Sequence, residues 1–113
     1  MNQELIDKYR AARELLSDPD HWTKVEMARD QFGRPAPSAD HPAATCWCAL
    51  GALARCGINM LEESDPIYRT VNNRGGHWSV SLFNDHPKTR HEDVLGLFDE
   101  TIERLETMDA EAA

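Results

Sequence analysis

The sequence is short of basic residues, of branched apolar residues and of long apolar runs, and each shortage excludes something. Twelve Lys and Arg stand against twenty Asp and Glu, a formal net charge of -8. A chain of that sign is not drawn onto DNA, RNA or an anionic membrane by its overall field, so no nucleic-acid partner is expected. No apolar run approaches the length of a membrane span, so no membrane insertion is expected. The opening MNQELIDKYR holds no apolar signal core, and the chain reads as cytoplasmic. Three cysteines, Cys46, Cys48 and Cys56, are too few and oddly numbered for a secreted disulfide framework. Reduced thiols are the simpler expectation. No GxxxxGKS or GxGxxG phosphate loop occurs, nor CxxC or HExxH, and no cofactor is implied.

Leu, Ile, Val and Phe make up only 21 of 113 residues, close to the composition of disordered chains. Three Trp, two Tyr and four Met restore large apolar groups. Charge is also uneven. Residues 41–91 carry four acids and five bases, whereas residues 92–113 carry eight acids and one base. The nearly neutral middle can pack. The expectation is one globular domain over residues 1–107, followed by a frayed acidic tail at 108–113. A chain this size buries about 60–68% of its unfolded surface. Help from a second copy, as a homodimer, would suit so thin a core.

The periodicity predicts a helix over residues 3–17, with Leu5, Tyr9, Ala12 and Leu16 on one stripe, ended by Asp18-Pro19. Residues 22–28 read as extended, with Val25 and Met27 facing in, entering a turn at Asp30-Gln31-Phe32-Gly33. A capping box at Thr23 to Glu26 allows a short helix there instead. Residues 34–45 read as a proline-rich loop. Residues 46–56, CWCALGALARC, read as a central buried helix with Thr45 as N-cap and Gly57 as C-cap. Asp65-Pro66 opens another short helix with Ile67, Tyr68 and Val71 on its apolar side. Residues 77–83, HWSVSLF, alternate as a strand that would pair with residues 22–28 or with another subunit. The last helix spans residues 89–107, with a capping box at Thr89 to Glu92. The fold class is therefore α+β: four or five helices with a small two-stranded antiparallel element.

Chemistry has few places to sit. A thiol at the start of the central helix, Cys46 or Cys48, would gain thiolate character from the helix end. The order Cys46-Trp47, His77-Trp78, Asn84 is similar to papain-like and NlpC/P60-like peptidases. That resemblance implies a cysteine-dependent hydrolase, with Cys46 as nucleophile, His77 as base and Asn84 as orienter. Cys46, Cys48, Cys56, His41, His86 and His91 are of metal-ligand type, but their spacing matches no metal motif, so no metal is expected. The polar run Asn84-Asp85-His86-Pro87 reads as a turn. The acidic stripe Asp99, Glu100, Glu103, Glu106, Asp109 and Glu111 reads as a solvated helix face, with docking of a basic protein partner as its functional alternative.

One resemblance spans most of the chain. It is carried by Trp22, Ala28-Arg29-Asp30 before Gly33-Arg34-Pro35, Cys46-Trp47-Cys48-Ala49-Leu50-Gly51-Ala52-Leu53, Asn84-Asp85 and Val94-Leu95-Gly96-Leu97-Phe98-Asp99. In these the chain resembles a small uncharacterised family of bacterial and phage proteins, a domain of unknown function. The resemblance implies no activity, ligand or partner. It does imply that Trp22, Cys46, Trp47, Cys48, Asn84 and Asp85 matter together, and His86 adjoins them. The expectation is a small protein-interaction or regulatory protein, phage-related, working by surface contact.

Overall fold

A computed structural model describes residues 3–74 and 79–112 of the chain. Among them are five α-helices and one two-stranded antiparallel sheet, so the fold is α+β and mainly helical. The helices are α1 (Gln3–Leu15), α2 (Ala49–Arg55), α3 (Asp65–Asn73), α4 (Val80–Asp85) and α5 (His91–Ala112). The strands are β1 (Ala28–Arg29) and β2 (Cys46–Trp47), with Ala28 opposite Trp47 and Arg29 opposite Cys46. Single bridges from Trp22 to Trp47 and from Arg29 to Pro35 widen this ribbon on both sides.

The core lies where α5 packs on α1 and α3, and α2 on α1 and α4. From α1 it takes Ile6, Tyr9 and Ala12, with Leu16 just beyond the helix; from α3, Ile67 and Val71; from α5, Val94, Leu97, Phe98, Ile102 and Leu105. These are the apolar stripes that 3.6-residue periodicity selects. The buried hydroxyls of Thr70 and Thr101 lie 2.9 Å apart across α3 and α5, and each reaches a carbonyl one turn back. Burial thus leaves neither unpaired. The outer edges are pinned by ion pairs. Arg13 meets Asp99 at 2.9 Å, Arg74 meets Glu100 at 3.0 Å, and Arg10 meets Glu106. Three acids of the stripe read above as a solvated face are therefore committed to holding α1 and the end of α3 against α5.

Several expectations are corrected. The segment from Cys46 does not begin as helix. Cys46 and Trp47 are strand, and Cys48 takes the N-cap position, its sulfur accepting from the Gly51 amide at 3.3 Å. Thr45 is no cap; its amide donates to the Arg29 carbonyl at 2.8 Å. At the other end Gly57, at φ +89°, closes α2 as expected. Its amide reaches Ala54 and that of Ile58 reaches Leu53, the paired bonds of a Schellman motif.

The strand expected over residues 77–83 is not formed where described. Val80 to Phe83 belong to α4, capped by the Ser79 hydroxyl at 3.0 Å from the Leu82 amide; residues 77 and 78 lie outside the described residues. A serine cap defeats a short alternation, because the alternation is compatible with one helical turn. The strand partner of β1 is consequently β2. Val25 and Met27 do not face in either: they are 72% and 42% exposed. Tyr68, expected on the apolar side of α3, is half-exposed. The last helix is capped not by Thr89 but by the Asp93 carboxylate, which accepts from the Arg90 amide at 2.8 Å. Helix α5 runs through residues 108–112, set apart above as a tail.

Candidate functional site

One buried side chain joins three segments far apart in sequence. Asn84, at the end of α4, is 1% exposed. Its Oδ1 accepts from Trp22 Nε1 at 2.8 Å and from the Ala49 amide, the first of α2, at 3.0 Å. Its Nδ2 donates to the Thr23 carbonyl at 3.1 Å and to Asp85 Oδ1 at 2.9 Å. A carboxamide has two donors and room for two acceptor bonds, so this one is saturated. Asp85 extends the clamp, its Oδ1 also accepting from the Val25 amide at 2.8 Å. Lys24 Nζ lies 5.5 Å over the Trp22 ring and donates to the His86 carbonyl at 2.7 Å. His86 Nδ1 in turn accepts from the Lys88 amide. The turn after α4 therefore grips residues 22–25 from one side.

The start of α2 grips the adjoining Met27 from the other side. The Met27 carbonyl accepts from the Cys48 amide at 3.2 Å and lies directly on Gly51. A Cβ at Gly51 would stand 1.8 Å from that oxygen, so only glycine lets the two backbones meet. Trp47 is buried beneath the proline-rich loop, donating from Nε1 to the Ala39 carbonyl at 2.9 Å, with the Arg55 guanidinium 5.5 Å over its ring. Arg29 binds three neutral oxygens: Thr23 Oγ1, the Lys24 carbonyl and the Gly33 carbonyl.

Between these grips the backbone is strained. Val25 has φ +75°, a genuine outlier for a β-branched residue. The Glu26 amide donates to the Lys24 carbonyl at 2.9 Å. Lys24-Val25-Glu26 is thus a three-residue turn of the rare positive-φ kind. A second turn follows at once. Asp30 accepts from the amides of Phe32 and Arg34 and from Arg34 Nε. Burial pushes the Asp30 carboxyl up, but those bonds outweigh it and hold it below its usual value. Gly33, at φ +78°, completes the turn, and Phe32 stands 71% exposed at its tip with the Arg34 guanidinium 5.0 Å over the ring.

The model of the family of unknown function DUF6197 matches residues 1–104. The chain belongs to this family. No curated protein and no solved structure matches it. Within the DUF6197 match lie both grips, the strained turn and the Asp30 turn.

Of the residues singled out in the sequence, Trp22, Trp47, Cys48, Asn84, Asp85 and His86 come together around the start of α2. Cys46 stands apart from the Asn84 network, paired with Arg29 in the sheet, its thiol 4.0 Å from the Arg29 carbonyl. His77 lies outside the described residues. The expected thiolate activation by α2 is not found at Cys48. Burial pushes that thiol up, and the amides of Gly51 and Leu50 only partly offset it. Burial also raises the thiol of Cys56. His41 Nδ1 accepts from the Ala43 amide, and His91 Nε2 lies 2.6 Å from the Leu16 carbonyl, to which it can only donate. Among the described residues no three His, Cys, Asp or Glu side chains converge to hold a metal ion. Nothing in local sequence marks Val25 as strained or Asn84 as a hub. Gly51 in an otherwise apolar helix is the one signal that a backbone approaches closely.

Proposed function

We propose that this DUF6197 chain is a small protein-interaction module that engages a protein partner through the segment between Thr23 and Arg34. One observation carries the reading. Val25 holds a backbone conformation that costs about 1–3 kcal/mol for a non-glycine residue, yet its side chain is 72% exposed. Glycine would adopt φ +75° without that strain. A strained valine that turns its side chain to solvent gains little for the fold, which supports a contact outside the chain. Met27 and Phe32, in the same segment of chain, are exposed apolar side chains as well. The bonds from Asp85, Arg29 and Asp30 fix the segment in advance, which lowers the entropy lost on binding.

Two other readings find less support. A basic partner on the acidic stripe competes with Arg10, Arg13 and Arg74, which already occupy Glu106, Asp99 and Glu100. A hydrolase needs a polar residue free to orient its base, whereas the Asn84 amide is saturated by Trp22, Thr23, Ala49 and Asp85. The three free thiols suit a reducing cytoplasm.

The test is site-specific photocrosslinking in cells that express the chain. A benzophenone side chain replaces Phe32, and a control replaces Leu61, which is 96% exposed elsewhere. The expected result is a discrete protein adduct from position 32, none from position 61, and loss of the first on adding Val25→Asp. Equal labelling from both positions, or none from position 32, refutes the proposal.

A further inference from the structure

We infer that the Lys24-Val25-Glu26 turn is a latched element that opens locally, with the Asp85 carboxylate as its catch and the Val25 backbone as its spring. This stands on the geometry of the turn and needs no partner. Opening would release Val25 from φ +75° into an ordinary conformation, so the strain favours the open state. Four bonds oppose it. Asp85 Oδ1 holds the Val25 amide at 2.8 Å, the Lys24 carbonyl holds the Glu26 amide at 2.9 Å and accepts from Arg29 Nη2 at 3.2 Å, and the His86 carbonyl holds Lys24 Nζ at 2.7 Å.

Both ends of the segment are fixed independently of the turn. On one side the Thr23 amide donates to the Trp47 carbonyl at 3.0 Å, and Trp22 is tied to Asn84. On the other the Met27 carbonyl is tied to Cys48 and Ala28 pairs with Trp47. The turn can therefore open without unzipping the sheet or α2, as a small low-stability unit on a firmer frame. The bond from Asp85 is charge-assisted, the strongest class available to an amide at a half-exposed site. Asp85 is also bonded to Asn84 Nδ2, which couples the catch to the hub that caps α2. A ligand that drew Asp85 away would free the turn, and one that seated Val25 would lock it. The exposed valine is thus displayed on an element with two states, which is what a gated contact requires.

Amide hydrogen exchange read by NMR tests this on the whole chain, with rates corrected for intrinsic sequence effects. In the wild type the Glu26 amide is expected to exchange at least tenfold faster than the Ala52 amide of α2 and the Cys56 amide that bonds back to it. Val25→Gly removes the spring and is expected to slow Glu26 exchange about fivefold. Asp85→Ala removes the catch and is expected to speed it about tenfold, with Asp85→Asn between, while the α2 amides stay within about twofold in all variants. Glu26 exchanging in step with α2, or Val25→Gly failing to slow it, overturns the inference. Should Asp85→Ala fail to fold, Val25→Gly and Asp85→Asn still decide. If the exchange order holds but position 32 captures no partner, the latch stands and the recognition reading falls alone.

Discussion

Gly51→Ala separates two opposed physical effects within one substitution. In an exposed helix, alanine stabilises relative to glycine by about 1 kcal/mol. At Gly51 the added carbon would stand 1.8 Å from the Met27 carbonyl oxygen and 2.8 Å from its carbon. These are backbone atoms and cannot rotate away. The carbonyl must retreat by more than about 1 Å to reach van der Waals distance. That retreat strains the adjoining Ala28–Trp47 pair and breaks the bond from the Cys48 amide to Met27. Overpacking of this kind costs about 3 kcal/mol, and the lost bond about 1. Offset by the helix gain, the net loss is about 3 kcal/mol, or a Tm lower by about 12 °C for a domain of this size. Gly96→Ala in α5 supplies the control, since among the described residues its Cβ would meet only the Arg74 guanidinium at an ordinary 3.7 Å. That substitution is expected to stabilise by up to about 1 kcal/mol. Urea titrations and thermal melts, both followed by circular dichroism, measure the two variants. Equal Tm shifts for the two variants, or a gain for Gly51→Ala, would refute the close approach of Met27 to α2.

Asn84→Ala leaves Trp22 Nε1, the Ala49 amide and the Thr23 carbonyl without their partner, and a loss of at least about 3 kcal/mol is expected in the same titration. A loss under about 1 kcal/mol would show that the hub is not closed as described. Alkylation of the native protein, resolved by mass spectrometry, should modify Cys48 most slowly, because it is buried and its thiol is raised by that burial; uniform rates at all three cysteines contradict this. Bonds from the Asn59 amide and from Lys8 hold Glu63 below its usual value, and Asp30 is also held low. Folded values below the unfolded ones mean a stabilisation complete above about pH 5 and lost as pH falls through the lowered values. Asp30→Asn should therefore flatten the acid limb of a plot of Tm against pH, and an unchanged limb counts against the Asp30 turn.

Long periodic segments were legible in the sequence, and boundaries set by distant backbone were not. Helices α1 and α5 follow from stripes such as Val94, Phe98, Ile102 and Leu105, whose spacing only a helix satisfies. Gly57 was legible because few residues other than glycine close a helix at φ +89°. The apolar run from Cys46 carries no periodicity to show where helix begins. Its first two residues are strand because Ala28 and Arg29 lie beside them, some 17 residues away in the chain. Cysteine is also not a residue one reads as a cap, so the start at Cys48 was hidden. Likewise, Trp22 and Asn84 both stood out as residues, but their bond spans 62 positions that no local pattern encodes.

The residues that drew attention in the sequence and those that carry the proposed function are almost disjoint. Cys48 caps α2, Gly51 admits Met27, Trp47 seats the proline-rich loop, and Asn84 with Asp85 closes the clamp. Each side chain is explained by a bond or a contact inside the chain. Among the described residues no buried side-chain polar atom lacks a partner, and a frame this fully satisfied has little chemistry left over. What the frame leaves unexplained is Val25, held at φ +75°, and Phe32 at the tip of a turn fastened by the three bonds to Asp30. An exposed apolar side chain on a loose loop asks for no explanation. One held in strain by a network of hydrogen bonds does, because relaxing it to glycine would stabilise the chain. The division of labour is then physical: the clamp around Asn84 and Asp85 holds the backbone, and the side chains of Val25 and Phe32 stand outside it.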